Sequence, residues 1–143
     1  MPNREVERSV AVWLSRARGD LQYVAFGVDR ADLTWGTCFH AQQAAEKALK
    51  GYLVWLGATR APRTHDLLRV AELVAQSGGK SPAEDPLLFL NAYAVECRYP
   101  EDLAEGEVTL DTARRAADYA REVVSFVCAA MAEDEAGDDR PAT

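Results

Sequence analysis

Apolar residues recur every three or four positions along most of the chain, and this spacing constrains the fold more than any other feature. It is the spacing of one face of an α-helix, and no run shows the period of two that marks a strand. Five stretches carry the pattern, separated by short segments that contain capping residues, glycine or proline. The sequence therefore predicts an all-α fold, an antiparallel bundle of about five helices.

Residues at the ends of these stretches predict where the first three helices begin and stop. Asn3 is expected to cap the first helix, Asp32 the second and Thr64 the third, because side-chain oxygens of these residue types accept hydrogen bonds from free backbone amides. The second helix is predicted over about residues 33–56, and Gly57 is placed to end it in a left-handed conformation.

The remaining two helices are bounded in the same way. The capping box Ser81-Pro82-Ala83-Glu84 predicts the start of the fourth helix, and Tyr99-Pro100 is expected to end it. Thr109 or Asp111 is expected to cap the last helix. We assign residues 1–131 to the bundle and residues 132–143 to an acidic, disordered tail.

Composition limits the classes of function. The net charge is −7, of which the segment 133–143 carries −4, so the body is only slightly acidic and avid DNA binding is not expected. The three cysteines form no CxxC pair, which argues against a disulfide framework and a zinc site. No apolar run approaches the roughly 18 residues of a membrane span. We expect a cytoplasmic protein without metal or cofactor.

The second helix carries polar groups inside its apolar stripe. On a helical wheel Gln42 and Glu46 share the face of Leu49. A buried carboxylate is costly unless it is paired, so Glu46 is expected to meet an arginine or histidine from another helix, and Lys50 is one turn away. Gln43 borders the stripe, as does Lys47. Two interpretations stay open, an internal polar network of the bundle or a lined cleft.

Three sequence blocks carry a resemblance to a known family. They are the stretch from Cys38 to Leu53, which contains His40-Ala41-Gln42-Gln43-Ala44-Ala45-Glu46-Lys47, then Thr64-His65-Asp66-Leu67, and then Arg98-Tyr99-Pro100. In this order they look like the blocks of the prokaryotic HEPN domain, and Asp20-Leu21 fits it too. The similarity spans roughly residues 5 to 131.

The resemblance implies a helical bundle that forms a homodimer, with a nucleotide- or RNA-binding cleft near the dimer interface. Small members are often paired with a minimal nucleotidyltransferase, in some cases as toxin and antitoxin. Ribonuclease members carry an arginine followed four to six residues later by a histidine. Arg98 lies where that motif begins, but no histidine occurs after His65. The usual general base is therefore missing.

We accordingly expect a binding module rather than an enzyme, and assign no catalytic residue. The predicted ligand-binding residues are Gln43, Glu46, Lys47, Lys50, His65, Arg98 and Tyr99. Tyr99 is placed like a stacking surface for a base, whereas His65 is interpreted as structural and His40 as solvated. The alternatives are a metal-independent endoribonuclease toxin, with Arg98 binding phosphate and His65 as acid or base, and a purely structural dimer.

Overall fold

The chain is described here from a computed structural model, over residues 2–94 and 108–138. Within these residues the backbone forms five α-helices and no strand. The helices are α1 (Arg4–Gly27), α2 (Thr34–Trp55), α3 (Leu67–Gln76), α4 (Glu84–Asn91) and α5 (Leu110–Asp138), and a 3-10 helix (Ala31–Leu33) joins α1 to α2. They pack as a bundle, so the all-α prediction is confirmed.

Helix α2 lies at the centre of the bundle and contacts each of the other four α-helices, above all α1 and α5. Its apolar stripe is almost completely buried, with Cys38, Ala45 and Leu49 fully inaccessible to solvent. The facing side of α5 is built from small residues that recur at helical spacing. These are Ala113, Ala116, Ala120, Val123, Val127 and Ala130. Small side chains at this seam let the two helices approach closely.

Helices α1 and α2 run antiparallel, and two glycines hold them close together. Near the connection, Gly27 of α1 packs against Thr37 of α2. At the far end Gly51 of α2 faces Trp13 of α1, and a Cβ on Gly51 would lie 2.9 Å from the Trp13 Cβ. Any larger residue at position 51 would therefore push the helices apart.

Several predicted helix ends are confirmed. The Asn3 Oδ1 accepts a hydrogen bond from the Val6 amide at 2.9 Å, as an N-cap does. Gly57 follows α2 with a positive φ of 113°, a conformation that glycine adopts without the steric cost of a Cβ. Thr109 precedes α5 and accepts from the Thr112 amide at 3.2 Å, so of the two candidate caps the structure selects Thr109.

Two predicted N-caps are wrong. Asp32 lies inside the 3-10 helix, and α2 begins after Leu33 without a side-chain cap. The cap of α3 is Asp66 rather than Thr64, since the Asp66 side chain accepts hydrogen bonds from the backbone amides of Leu68 and Arg69 in the first turn. Thr64 instead accepts from the Asp66 amide at 3.1 Å. The short turn before α2 needs no capping side chain because the 3-10 helix leads directly into it.

The boundaries of α4 also differ from the prediction. The helix starts at Glu84 after Ala83, which makes no capping hydrogen bond, and the Ser81 hydroxyl donates instead to the Ala71 carbonyl of α3 at 3.3 Å. The capping box is thus not formed, because Ser81 is used to join two helices. The helix ends at Asn91, well before Tyr99-Pro100, which lies outside the described residues.

Helix α5 continues to Asp138, so it extends into the segment 132–143 that is predicted above to be an acidic tail. Near its end the Lys80 ammonium forms an ion pair with the Glu133 carboxylate. None of the helices in the described ranges combines the length and the apolarity that crossing a bilayer requires.

Candidate functional site

The polar residues inside the apolar stripe of α2 form a buried cluster around Glu46. We call it the Glu46 cluster, and it consists of Gln42, Gln43, Glu46, Lys50 and His65. Glu46 is 4% exposed and Lys50 5%, and the Lys50 ammonium donates to Glu46 Oε2 at 3.2 Å. The other carboxylate oxygen accepts from Gln42 Nε2 at 3.2 Å and from His65 Nδ1 at 2.9 Å. The predicted burial of Glu46 with basic partners is confirmed, but its histidine partner comes from the loop before α3 and not from another helix.

His65 combines a fixed orientation with access to solvent. Its side chain is 64% exposed, although Nδ1 is bonded to buried Glu46. Its backbone carbonyl accepts from Gln42 Nε2 at 3.2 Å, which ties the loop before α3 to α2. Since a carboxylate only accepts hydrogen bonds, Nδ1 is the donor in this contact, and Nε2 makes no hydrogen bond to the described residues. This contact gives the His65 ring a structural partner, in agreement with its interpretation as a structural residue.

Asp66, the residue after His65, connects the same loop to α4. Its carboxylate accepts from the Asn91 side chain of α4 at 2.8 Å and from the amides of Leu68 and Arg69. The hydrogen bond from Asn91 is the main reason that the pKa of Asp66 is lowered from its ordinary value, and the two backbone hydrogen bonds add to it. Asn91 Oδ1 in turn accepts from the Leu67 amide at 2.8 Å. These hydrogen bonds fix the backbone of the residues that directly follow His65.

A second cluster lies between α1 and α2, and we call it the Asp20 cluster. It consists of Asp20, His40 and Lys47. Asp20 is 6% exposed, its Oδ1 bonds His40 Nδ1 at 2.8 Å, and its Oδ2 accepts from the Lys47 ammonium at 2.6 Å. His40 also stacks on Tyr23, with ring centroids 4.3 Å apart. The prediction of a solvated His40 is therefore wrong, because α1 packs over that side of α2.

The structure divides the predicted site residues between these clusters. Gln43, Glu46, Lys50 and His65 are brought together, and Gln43 joins through its Nε2, which donates to Gln42 Oε1 at 2.6 Å. Lys47 belongs to the Asp20 cluster instead. The two clusters share the same stretch of α2, since His40 and Lys47 alternate along the helix with the residues of the Glu46 cluster. Arg98 and Tyr99 lie outside the described residues.

Sequence reasoning missed Asp20 as a partner of α2, although the chain carries a signal for it. Asp20 lies on α1 between the buried residues Ala17 and Val24, at the three- and four-residue spacing of the apolar stripe. The argument that singled out Glu46 applies equally to this position, since a carboxylate in an apolar face requires a partner.

The loop before α3 that carries His65 also carries two cationic side chains. Arg60 and Arg63 are exposed, and neither forms an ion pair with any residue in the described ranges. Guanidinium groups bind phosphate through paired N–H donors. His65 follows Arg60 by five positions, which is the spacing of the ribonuclease motif. From the sequence alone we interpret this as a false match, because it lies before the third helix and the family's motif lies late in the bundle. In the structure Arg60 and Arg63 lie on the loop between α2 and α3, the same loop from which His65 joins the Glu46 cluster.

The described residues contain no group of three or more histidine, cysteine, aspartate or glutamate side chains arranged to hold a metal ion. Cys38 is buried in the core, and this burial raises the pKa of its thiol to about 12. The chemistry available at the two clusters is thus that of imidazole, ammonium, amide and carboxylate groups.

Comparisons with known proteins agree with this architecture. The model of the HEPN domain matches residues 10–133. The crystal structure of TT1696 from Thermus thermophilus is similar with a TM-score of 0.69 and 30% identity, over 84% of this chain and 96% of that chain. The crystal structure of ST0689, described as an archaeal HEPN homologue, is similar with a TM-score of 0.63 and 27% identity, over 84% and 95%. No curated protein matches the chain significantly. Since the family model covers most of the sequence, the chain belongs to the HEPN domain family.

Proposed function

We propose that this HEPN domain is a nucleotide-binding module that binds phosphate at the loop before α3. The observation that carries the proposal is the state of His65, which is 64% exposed and yet held at 2.9 Å by a buried carboxylate. A side chain that is fixed and accessible at once presents a donor or acceptor to a ligand without losing further conformational entropy. Arg60 and Arg63 on the same loop supply exposed guanidinium groups.

The predicted binding residues have different parts in this proposal. His65 and the two loop arginines contact the phosphate, with Gln43 and Lys47 on the adjoining turns of α2. Glu46 and Lys50 are too deeply buried for that, since each side chain is 6% exposed. They act as positioning residues, because the carboxylate orients the imidazole and the ammonium compensates the buried charge. Arg98 and Tyr99 stay predictions from the family resemblance.

Calorimetric titration with ATP, GTP and short RNA tests this proposal. Arg63→Ala should weaken phosphate binding by roughly 10- to 150-fold, the range that corresponds to about 1.5–3 kcal/mol for a hydrogen bond to a charged group. Arg121→Ala is the matched control, because Arg121 is an exposed arginine of α5 that pairs with Asp118 one turn away. The absence of binding heat in the wild type for every ligand would overturn the proposal.

We further propose, from the family resemblance, that the module works as a homodimer and that a nucleotidyltransferase is its partner in a toxin–antitoxin pair. Light scattering after size-exclusion chromatography gives the mass of the assembly, and a monomer at micromolar concentration would contradict the dimer. A nucleotidyltransferase encoded in the neighbouring reading frame would support the pairing, and co-purification of the two products would test it directly.

One observation favours a second candidate, a metal-independent endoribonuclease. The Glu46–His65 pair fixes the proton on Nδ1 and leaves Nε2 able to accept one, which is the arrangement of a general base oriented by a carboxylate. Cleavage of RNA in the presence of EDTA that His65→Ala abolishes would establish this activity. Intact RNA across a broad substrate panel would exclude it. If nucleotides also fail to bind, the structural dimer becomes the best interpretation.

A further inference from the structure

Where α1 ends and α2 begins, the surface carries a groove with a volume of about 260 Å³. Its lining includes Tyr23, Phe26, Leu33, Gly36, Thr37 and His40. Three of these are large apolar residues that remain exposed, Tyr23 at 62%, Phe26 at 63% and Leu33 at 37%. A contiguous group of exposed apolar side chains on a small domain is typical of a binding surface.

The aromatic rings of this groove are held in fixed orientations. Tyr23 is stacked on His40 with an angle of 11° between the rings, and His40 is anchored in turn by Asp20. The guanidinium of Arg30 lies 4.3 Å from the centre of the Phe26 ring. Each ring is thus supported by a neighbouring group and still largely accessible. Rings that are oriented in advance stack on a planar ligand at little entropic cost.

We infer that this groove binds the planar base of a nucleotide, an inference that rests on the proposed function. A volume of about 260 Å³ is slightly below the usual range of small-molecule pockets, roughly 300–1,000 Å³, and suits a fragment of the size of a base. Beside the groove, His40 and the Lys47 ammonium bind the two oxygens of the same Asp20 carboxylate, which compensates the ammonium charge. A base on Tyr23 is therefore bound by stacking on the ring rather than by a free cation.

Gly36 provides a way to fill the groove without disturbing the fold. A Cβ at this position would meet no heavy atom within 4 Å, so a side chain placed there grows into the open space that Gly36 lines. Leucine is also a better helix former than glycine, and Gly36 lies within α2. Gly19 of α1 has the same open surroundings but does not line the groove. Gly36→Leu is therefore the test variant and Gly19→Leu its matched control.

The experiment compares three kinds of probe by calorimetry: the four nucleoside 5′-monophosphates, the corresponding nucleosides, and ribose 5-phosphate. In the wild type the best monophosphate should bind roughly 5- to 150-fold more tightly than ribose 5-phosphate, the contribution of one stacked base. Gly36→Leu and Tyr23→Ala should lose this difference. Gly19→Leu should keep it, as should Tyr23→Phe, which retains the ring.

The probes separate this inference from the proposed phosphate site. Binding of a nucleoside that Gly36→Leu removes supports the groove even if ribose 5-phosphate does not bind, a result that would count only against the phosphate site. The inference is overturned if no nucleoside binds, or if Gly36→Leu leaves monophosphate affinity unchanged. It is also overturned if Gly36→Leu converts a dimer to a monomer while nucleosides fail to bind, because the groove is then occupied by a second copy of the chain.

Discussion

Replacing Glu46 by leucine tests whether the polar cluster in α2 depends on a paired buried charge. The variant leaves the Lys50 ammonium with its side chain 6% exposed and without the carboxylate that lies 3.2 Å away in the wild type. Removing one partner of a buried ion pair costs about 3–5 kcal/mol, because the remaining charge is neither paired nor hydrated. Gln42, which is fully buried, also loses one of its two acceptors. We expect Glu46→Leu to lower the free energy of unfolding by about 4 kcal/mol.

The double variant Glu46→Leu/Lys50→Met separates the burial of a charge from the loss of the pair. Methionine follows the apolar stem of lysine, so the double variant removes both charges and keeps most of the side-chain volume. Replacing a buried pair by apolar residues is often close to neutral. The double variant should therefore lie within about 1–2 kcal/mol of the wild type, the remainder arising from Gln42.

Urea unfolding followed by circular dichroism measures both variants. With a slope of about 2 kcal/mol per molar urea, the single variant should lose about 2 M in its midpoint and the double variant less than about 1 M. A single variant that costs under about 1 kcal/mol would show that the Lys50 ammonium reaches water when Glu46 is absent. A double variant as unstable as the single one would refute the argument from unpaired charge.

Three further predictions follow from individual contacts. Asp66→Ala should cost about 1 kcal/mol at pH 7 through loss of the α3 cap. Because the folded-state pKa of Asp66 is lowered, this contribution to stability is complete above the ordinary pKa and disappears as pH falls through the lowered value. The stabilities of wild type and variant should therefore converge in an acid titration. In a variant that keeps only Cys38, alkylation by iodoacetamide at pH 8 should require unfolding, because burial raises the pKa of that thiol to about 12. Gly51→Ala should destabilise by about 1–3 kcal/mol through its contact with Trp13, whereas Gly19→Ala should stabilise by about 0.5–1 kcal/mol in the same urea assay.

The helices could be predicted because apolar residues at helical spacing form one face of a helix, and that face is the one that becomes buried in the bundle. Leu49 and Val127 are fully buried, as their positions on apolar faces require. Glu46 could be predicted for the converse reason, since a carboxylate in such a face has to be paired. One of its predicted partners, Lys50, lies on the same helix, so its position follows from local geometry alone.

The features that could not be predicted depend on contacts between distant parts of the chain. Thr64 and Asp66 are both suitable caps, and the choice of Asp66 coincides with a hydrogen bond from Asn91 on α4. Ser81 has the sequence context of a cap but bonds a carbonyl of α3. His40 lies on the polar side of the helical wheel, and only the packing of α1 converts that side into an interface. A local pattern does not contain these tertiary partners.

The two buried carboxylates differ in a way that makes their energetic roles predictable. Asp20 is as buried as Glu46, but its partners are more open: the Lys47 side chain is 25% exposed and His40 27%. When Asp20 is replaced by alanine, both partners can turn toward water, so the cost reduces to lost hydrogen bonds of about 1–2 kcal/mol.

The cost of losing a buried carboxylate should therefore follow the burial of its cation rather than its own burial. We expect Asp20→Ala to destabilise the domain clearly less than Glu46→Ala in matched urea titrations. Because His40 also supports the Tyr23 ring, Asp20→Ala should weaken nucleoside binding at the groove even though the fold is retained. Equal losses of stability for the two alanine variants would show that the carboxylates themselves, and not the solvation of their partners, determine the energy of these clusters.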